Sequence, residues 1–504
     1  MPDDQTETLA FLDKPGTYGL SGEIVERHAT HGSYVFLAGS RAYKLKRAVH
    51  FPYMDYSTVA RRKVMCEREL DVNRRLAPEI YLETVPVMRR ADGSLRIGGN
   101  EGEAIDWLVV MRRFEQSDLF ESRRRRGQLE PMLLRQLGER LARFHESAER
   151  QPRFGGAAGI EAVLDENRSL LGPPLDGKKI ADLDALSRKA LEALRSFLDT
   201  RRDRGFVRRV HGDLHLNNIC VYNGKPVPFD AIEFEDNFAC IDVLFDLALL
   251  LMDLDRHGLS REGNIVLNRY LERTRDYEGL KALPLFLSCR AAMRAHVTLA
   301  MKQGDPQTRE REAAQLLDCA LAYLKPHAVS LIAIGGVSGT GKSTVAAAIA
   351  PHIGRAPGAV VVRTDVVRKQ LWGADELMRL PPAAYDEEFT ARVYRTMAER
   401  AAAVLNAGHS VIFDAVMGQA SQRADIEELA QHHAAHFHGL WLDAPTDILA
   451  RRIVARRDDA SDATVDVLRA QRENIETPDR WTVIDADAPP ADVARAALHA
   501  IRSS

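Results

Sequence analysis

Two stretches of this chain carry residue types at spacings that suit phosphate chemistry. The first is Gly336-Val337-Ser338-Gly339-Thr340-Gly341-Lys342-Ser343-Thr344. Gly336, Gly339 and Gly341 let the N–H groups of this run, those of Ser338 and Thr340 among them, converge on an anion. Lys342 would reach the β- and γ-phosphates and the Ser343 hydroxyl would bind Mg²⁺. Leu331 to Ile334 reads as a buried strand and Thr344 to Ile349 continues as a helix, which puts the phosphates at a helix N-terminus. The expected ligand is ATP or GTP. The second stretch is His211-Gly212-Asp213-Leu214-His215-Leu216-Asn217-Asn218, followed by Asp230 in Pro228-Phe229-Asp230. Phosphoryl transfer needs a carboxylate to accept the attacking hydroxyl's proton and separate oxygen ligands for Mg²⁺. Asp213 can supply the first, and Asn218 with Asp230 the second.

A third group lies beyond the glycine-rich run. Asp365 and Arg368, in Thr364-Asp365-Val366-Val367-Arg368, follow a strand-like Val360 to Val362 and so fall on its ligand edge. An Asp there can deprotonate an acceptor hydroxyl, and an Arg one turn later can grip a phosphate or carboxylate. A helix-capping Asp with a surface Arg is the plainer alternative. Asp414 ends the apolar run Val411 to Phe413 and suits a carboxylate facing the Mg²⁺ water shell. Arg452 and Arg456 share a helical face, as a lid that neutralises the transferring phosphate requires; a solvated helix is the alternative.

The elements that must position these groups divide the chain. From Pro326 on, strands (331–334, 360–362, 410–413, 438–442, 481–484) alternate with helical runs (385–405, 446–457), which predicts an α/β domain over 326–504 with a parallel sheet and ligands at the strands' carboxyl ends. The first 325 residues are built differently. Tyr34 to Leu37 and Ala42 to Leu45 form a hairpin at Gly39-Ser40. A helix over Ser57 to Leu76 and strands at 83–87 and 106–111 complete a strand-rich lobe over 1–114. A mostly helical lobe over 115–325 follows, interrupted near 210–221 and 226–229.

The 504 residues, 45% apolar and 28% charged, describe a globular protein of several domains. A net charge of −3 argues against a nucleic-acid partner. Five cysteines without metal spacing read as reduced core residues. The N-terminus has no signal-peptide pattern, and Asp246 and Asp253 interrupt the most apolar stretch, Val243 to Leu254. These features predict a cytoplasmic protein with no membrane partner.

The His-Gly-Asp segment with Asn five residues on resembles the aminoglycoside phosphotransferase-like branch of the protein-kinase fold, over about residues 20–300. Asp242 and Asp246 look like that family's Asp-Leu-Ala helix start. The resemblance implies an α+β kinase-like domain with Asp213 as catalytic base and Asn218 and Asp230 as metal ligands. It further implies that Ala42-Tyr43-Lys44-Leu45-Lys46 carries the ATP lysine, with Glu69 as its helix partner and Trp107 to Arg112 as the hinge. Alternation puts Lys44 and Lys46 on one face, so the sequence leaves both open, with Lys44 favoured. No Gly-x-Gly-x-x-Gly is present; Thr30-His31-Gly32-Ser33 occupies the expected turn. The later motifs resemble P-loop kinases of the zeta-toxin and polynucleotide-kinase-like branch, over about 329–500. The whole arrangement is similar to bacterial fusions of an aminoglycoside phosphotransferase-like domain with a P-loop ATP-binding domain.

The expected function is an ATP- and Mg²⁺-dependent phosphotransferase with two nucleotide sites and small-molecule hydroxyl acceptors. Two rivals make the P-loop half an ATPase switch acting on the first site, or a nucleic-acid 5′-hydroxyl kinase.

Overall fold

The computed structural model of the protein describes residues 3–21, 24–51, 54–301, 304–455, 460–475 and 477–503. The chain gathers into two compact units: Met1–Glu166 with Leu191–Asp253, and Asn167–Ala190 with Leu254–Ser504. The second unit thus takes in, besides 326–504, segments that the sequence reading assigned to the first domain.

In the first unit, strands β1 (Glu26–Ala29), β2 (Ser33–Ala38), β3 (Arg41–Lys46), β4 (Tyr81–Arg89), β5 (Leu95–Ile97) and β6 (Glu103–Arg112) form one antiparallel sheet, in the order β1-β2-β3-β6-β4-β5. Strand β1 is exposed at every position and β5 is three residues long. Neither has the apolar alternation that marks a strand in sequence. The period-2 pleat sorts β3 cleanly. Tyr43 and Leu45 pack with Phe36, Leu108 and Val110 on one face; Ala42 packs with Cys66 and Leu70 of helix α1 (Val59–Arg74) on the other. Lys44 and Lys46 share Ala42's face, which aims both at α1. The Thr58 hydroxyl caps α1 by accepting from Arg61 N–H (3.4 Å).

Helix α2 (Pro131–Ser147) is followed, after the helices Gly156–Leu170 and Gly177–Asp203, by four short strands: β7 (Val207–Arg209), β8 (Ile219–Tyr222), β9 (Lys225–Pro228) and β10 (Cys240–Asp242). They pair as two antiparallel ribbons, β8 with β9 and β7 with β10. Helix α3 (Val243–Asp255) begins directly after β10 and is buried on almost every side, which accounts for a run that is apolar apart from Asp246, Asp253 and the terminal Asp255.

The second unit holds a five-stranded parallel sheet made of β11 (Ser330–Gly335), β12 (Val360–Arg363), β13 (Val411–Asp414), β14 (His436–Asp443) and β15 (Thr482–Asp485), in the order β12-β13-β11-β14-β15. The predicted alternation is present, with boundaries moved by one or two residues. The order reverses at β11, so its carboxyl end opens a crevice between outward-running neighbours. Edge strand β12 is covered by helix α4 (Ser260–Thr274). Asn268 Oδ1 accepts from Val361 N–H (2.7 Å), and the Asn264 and Asn268 amides donate to Ala359 O (3.0 and 3.3 Å). Arg269 pairs with Glu376 (2.7 Å) and Gln370 donates to Glu272 O (2.7 Å) on the same side.

Candidate active sites

The loop after β7 carries His211 to Asp213. Gly212 sits at φ +84°, where an added Cβ would lie 2.8 Å from Phe238 O, so only glycine fits. The loop is held from α3. The fully buried Asp246 carboxylate accepts from Gly212 N–H (2.8 Å), His211 N–H (3.3 Å) and His145 Nε2–H of α2 (3.1 Å). Two turns on, Asp253 accepts from Leu216 N–H (2.9 Å). His211 donates through Nε2–H to Phe229 O (2.8 Å) and accepts Asp213 N–H at Nδ1 (3.3 Å). Burial, outweighing the nearby carboxylates, holds its pKa below the ordinary histidine value, so it serves as neutral scaffolding.

The loop leaves Asp213's carboxylate 43% exposed, open to an acceptor. Asn218 donates from Nδ2 to Asp213 O (2.9 Å) and Oδ2 (3.2 Å), which commits its nitrogen and leaves Oδ1 as its oxygen donor. The β8–β9 register, extended by Phe229 N–H to Asn218 O (2.9 Å), brings Asn218 beside Asp230. Asn218 Oδ1 and the half-exposed Asp230 carboxylate are hard oxygen donors and fit Mg²⁺.

From the sheet side, Lys44 Nζ lies 2.7 Å from Glu69 Oε1 and 2.6 Å from Asp230 Oδ1. Lys46 Nζ lies 2.6 Å from Glu69 Oε2 and 2.5 Å from Glu233 Oε1, which also accepts from Tyr56 Oη (2.6 Å). Glu69 therefore serves both lysines. Burial alone would lower both lysine pKa values; the carboxylates around them outweigh it and hold both raised. For Glu69 the order is the same: burial opposes ionisation, and the two ammonium groups overcome it and hold the carboxyl low. The two lysines differ in direction. Lys44 points to Asp230, whereas Lys46 is 1% exposed and closed in by Glu69 and Glu233. Thr30 to Ser33 forms a tight turn, with Thr30 N–H on Ser33 O (2.8 Å) and Arg47 donating to Thr30 O (3.0 Å). Trp107 to Arg112 lies inside β6.

The second site occupies a cavity of about 1390 Å³ at the carboxyl end of β11. Gly336 takes φ +135°, and an added Cβ would meet Leu442 O at 2.5 Å; Gly339 and Gly341 also have positive φ. Helix α5 (Lys342–Ile349) starts directly after Gly341, which places Ser343 and Thr344 in its first turn. Lys342 Nζ donates to Gly336 O (2.9 Å) and Val337 O (3.0 Å), and Thr340 Oγ1 to Val337 O (2.9 Å). Ser343 Oγ donates to Asp414 Oδ2 at 2.5 Å. Burial raises the Asp414 pKa against the opposing pull of Arg363 and Lys342. A serine hydroxyl and a carboxylate at the phosphate end form an oxygen donor pair that also fits Mg²⁺.

Opposite these groups stands helix α6 (Thr364–Trp372). Its N-cap residue is Arg363, so Asp365 does not cap it; Asp365 lines the cavity in the first turn. Arg368, 5% exposed, donates to Ala384 O (2.6 Å) and Thr390 Oγ1 (3.1 Å) and stacks over Tyr385 at 4.8 Å. It builds the cavity wall. Of the two arginines predicted to form a lid, Arg452, in helix α7 (Thr446–Ala455), donates to Ala486 O (2.7 Å), and Arg456 lies outside the described residues.

Two residues of this site had no signal in the sequence. Gln471 of helix α8 (Val465–Asn474) accepts Ser338 N–H at 2.8 Å, directly on the phosphate loop. Asp462 gathers Lys369 Nζ (3.0 Å), Leu380 N–H (3.0 Å) and Tyr385 Oη (2.6 Å). Neither stands at a fixed spacing from a motif; the fold alone brings them in.

Against known families, residues 31–283 match the phosphotransferase enzyme family and residues 331–478 match an AAA domain. An uncharacterized protein of Mycobacterium tuberculosis (strain H37Rv) is 30% identical over 493 residues, covering 95% of this chain and 96% of that one. Among solved structures, a choline/ethanolamine kinase family protein from Mesorhizobium loti covers 63% of this chain and 98% of its own, at 14% identity and a TM-score of 0.37. A gluconokinase from Sinorhizobium meliloti 1021 covers 36% of this chain and 94% of its own, at 23% identity and a TM-score of 0.27.

Proposed function

The chain belongs to the phosphotransferase enzyme family, with an AAA-type P-loop domain fused behind it, and from that premise we propose an ATP- and Mg²⁺-dependent phosphotransferase with two nucleotide sites. Each site passes a γ-phosphoryl group to a hydroxyl of a small molecule. The observation that carries this reading is the meeting of Lys44, Glu69 and Asp230 across the first site, beside Asn218 and Asp213. In the first site Asp213 accepts the acceptor's proton as the new O–P bond forms and the bond to the β-phosphate oxygen breaks, releasing ADP. Lys44 steadies the phosphates; Mg²⁺, when bound, neutralises their charge. In the second site Asp365 is the base and Lys342 follows the transferring group. The two chemistries divide near residue 325.

No helix among the described residues is long and apolar enough to cross a membrane. The five cysteines are free, and burial pushes Cys66, Cys220 and Cys289 up to about 12. Inert thiols of this kind suit the reducing cytoplasm.

ADP release by the whole chain, screened against a library of hydroxyl compounds, tests the reading. Asp213→Ala and Lys342→Ala variants assign each hit to a site. A hit that survives both substitutions refutes the assignment of the two sites. The switch rival draws on one observation: helix α4, within the phosphotransferase match, holds the edge strand that leads to Asp365. ATP hydrolysis at the P-loop without acceptor, together with loss of first-site transfer in Lys342→Ala, decides for the switch.

A further inference from the structure

Asp230 occupies the left-handed region at φ +63°, a conformation that residues with a Cβ rarely adopt. Neighbours must hold it there, and the structure shows which. The Tyr81 hydroxyl, at the start of β4, accepts Asp230 N–H (3.2 Å). The Asn73 amide, one turn beyond Glu69 on α1, accepts Ala231 N–H at Oδ1 (2.8 Å) and donates to Ala231 O (3.4 Å). Its Nδ2 also donates to Glu69 O (3.0 Å). Both side chains are buried, Asn73 completely and Tyr81 to within 2%. Asn73 thus pairs with both the N–H and the C=O of one residue, as a strand neighbour would, although it comes from a helix. The consecutive N–H groups of Asp230 and Ala231 are both fixed by side chains of α1 and β4.

We propose that Asn73 and Tyr81 are positioning residues for the metal site of the first domain. They lock the Asp230 backbone in its left-handed turn, so that its carboxylate stands ready beside Asn218 and Lys44. Helix α1 then performs two tasks from one face: Glu69 sets the lysines and Asn73 sets the metal ligand. This rests on the phosphotransferase reading of that domain. It goes further by making Mg²⁺ affinity depend on two residues that touch neither metal nor nucleotide.

The test uses the full chain carrying Lys342→Ala, so that the first site dominates nucleotide binding. ATP binding is measured by calorimetry across a Mg²⁺ titration and again in EDTA. Tyr81→Phe keeps the ring and removes only the hydroxyl that accepts Asp230 N–H; Asn73→Ala removes both bonds to Ala231 and the one to Glu69 O. The expected result is a Mg²⁺ midpoint raised roughly threefold in Tyr81→Phe and roughly tenfold in Asn73→Ala. Metal-free ATP binding should match the Lys342→Ala parent, and excess Mg²⁺ should restore both binding and turnover. If both variants melt earlier but keep the parent's Mg²⁺ midpoint, the residues are structural only and the proposal is overturned. A loss of turnover that Mg²⁺ does not restore overturns it as well. If the parent shows no Mg²⁺-dependent ATP binding, the phosphotransferase reading fails and takes this inference with it.

Discussion

Replacing Lys44 and Lys46 one at a time by Met separates two jobs that their spacing makes look alike. Lys46 is 1% exposed and lies within 2.6 Å of two carboxylates, Glu69 and Glu233, which are 0% and 6% exposed. Removing it leaves two buried anions with only Lys44 close to one of them. Uncompensated charge of this kind costs about 3–5 kcal/mol. For a unit of roughly 200 residues that is a fall of about 6–20 °C in the first melting transition. Lys44→Met leaves Glu69 paired with Lys46 and frees only Asp230, whose carboxylate is 43% exposed. The cost there is about 1 kcal/mol and the melting shift a few degrees. Function should follow the opposite order. Lys44→Met loses the charge beside the metal ligand, so first-site turnover should fall by roughly 10²-fold or more. Lys46→Met, where it folds, should bind ATP within a few-fold of the parent. Differential scanning fluorimetry and calorimetry in the Lys342→Ala background read both effects. A Lys44→Met protein that turns over normally, beside a stable Lys46→Met protein that does not bind ATP, would refute the assignment.

Three further outcomes are expected. Asp213→Ala should spare Mg·ATP binding and lower transfer through kcat by roughly 10²–10⁴-fold, as for a lost general base; a raised ATP KM with unchanged kcat would remove Asp213 from that role. Gln471→Ala should tighten nucleotide binding at the P-loop by roughly two- to tenfold, since phosphate and the Gln471 amide compete for Ser338 N–H; weaker binding in calorimetry would make Gln471 a nucleotide ligand instead. His409, buried, donates to Leu280 O (3.1 Å), and burial, then Arg355, hold its pKa down at about 3. A folded pKa below the unfolded one of about 6.5 means that the unfolded chain binds the proton first on acidification. Stability is therefore complete above pH ~6.5 and is lost below it, about 2 kcal/mol by pH 5. His409→Gln should flatten the melting temperature between pH 7 and 5, and an unchanged slope would contradict the argument.

Much of the site was legible because phosphate chemistry is written in contiguous runs. Under the proposed function, Gly336 to Ser343 would place its N–H groups on one anion, and His211 to Asn218 would turn a base and a ligand toward one point. Local backbone geometry does both, so the spacing survives in the sequence. Lys44 and Lys46 were legible as a pair and not as individuals, because the pleat sends both to α1; their neighbours Asp230 and Glu233 tell them apart. Arg368 shows the limit of spacing. Three residues after Asp365 it stands one turn along the helix as read, yet its guanidinium is spent on Ala384 and Thr390. Asn73, Tyr81, Asp462 and Gln471 were invisible because each acts on a backbone group far away in the chain. No local pattern records such a partner. Strand β1 escaped notice because all its positions face out.

The asparagines of α4 have a consequence for how the chain can be divided. A parallel sheet ends in a strand whose outward N–H and C=O groups will pair with whatever strand arrives. Here Val361 and Ala359 are answered by Asn268 and Asn264 instead, so β12 is closed to newcomers. Those side chains lie some sixty residues upstream of residue 325. A scissile cut at residue 325 would therefore separate the two candidate sites while taking the stopper from an open sheet. The exposed edge would stand directly before Asp365 and invite a second copy to dock there. Severance and self-association become the same event, and the two halves behave as a joinery with a shared peg rather than as beads on a string.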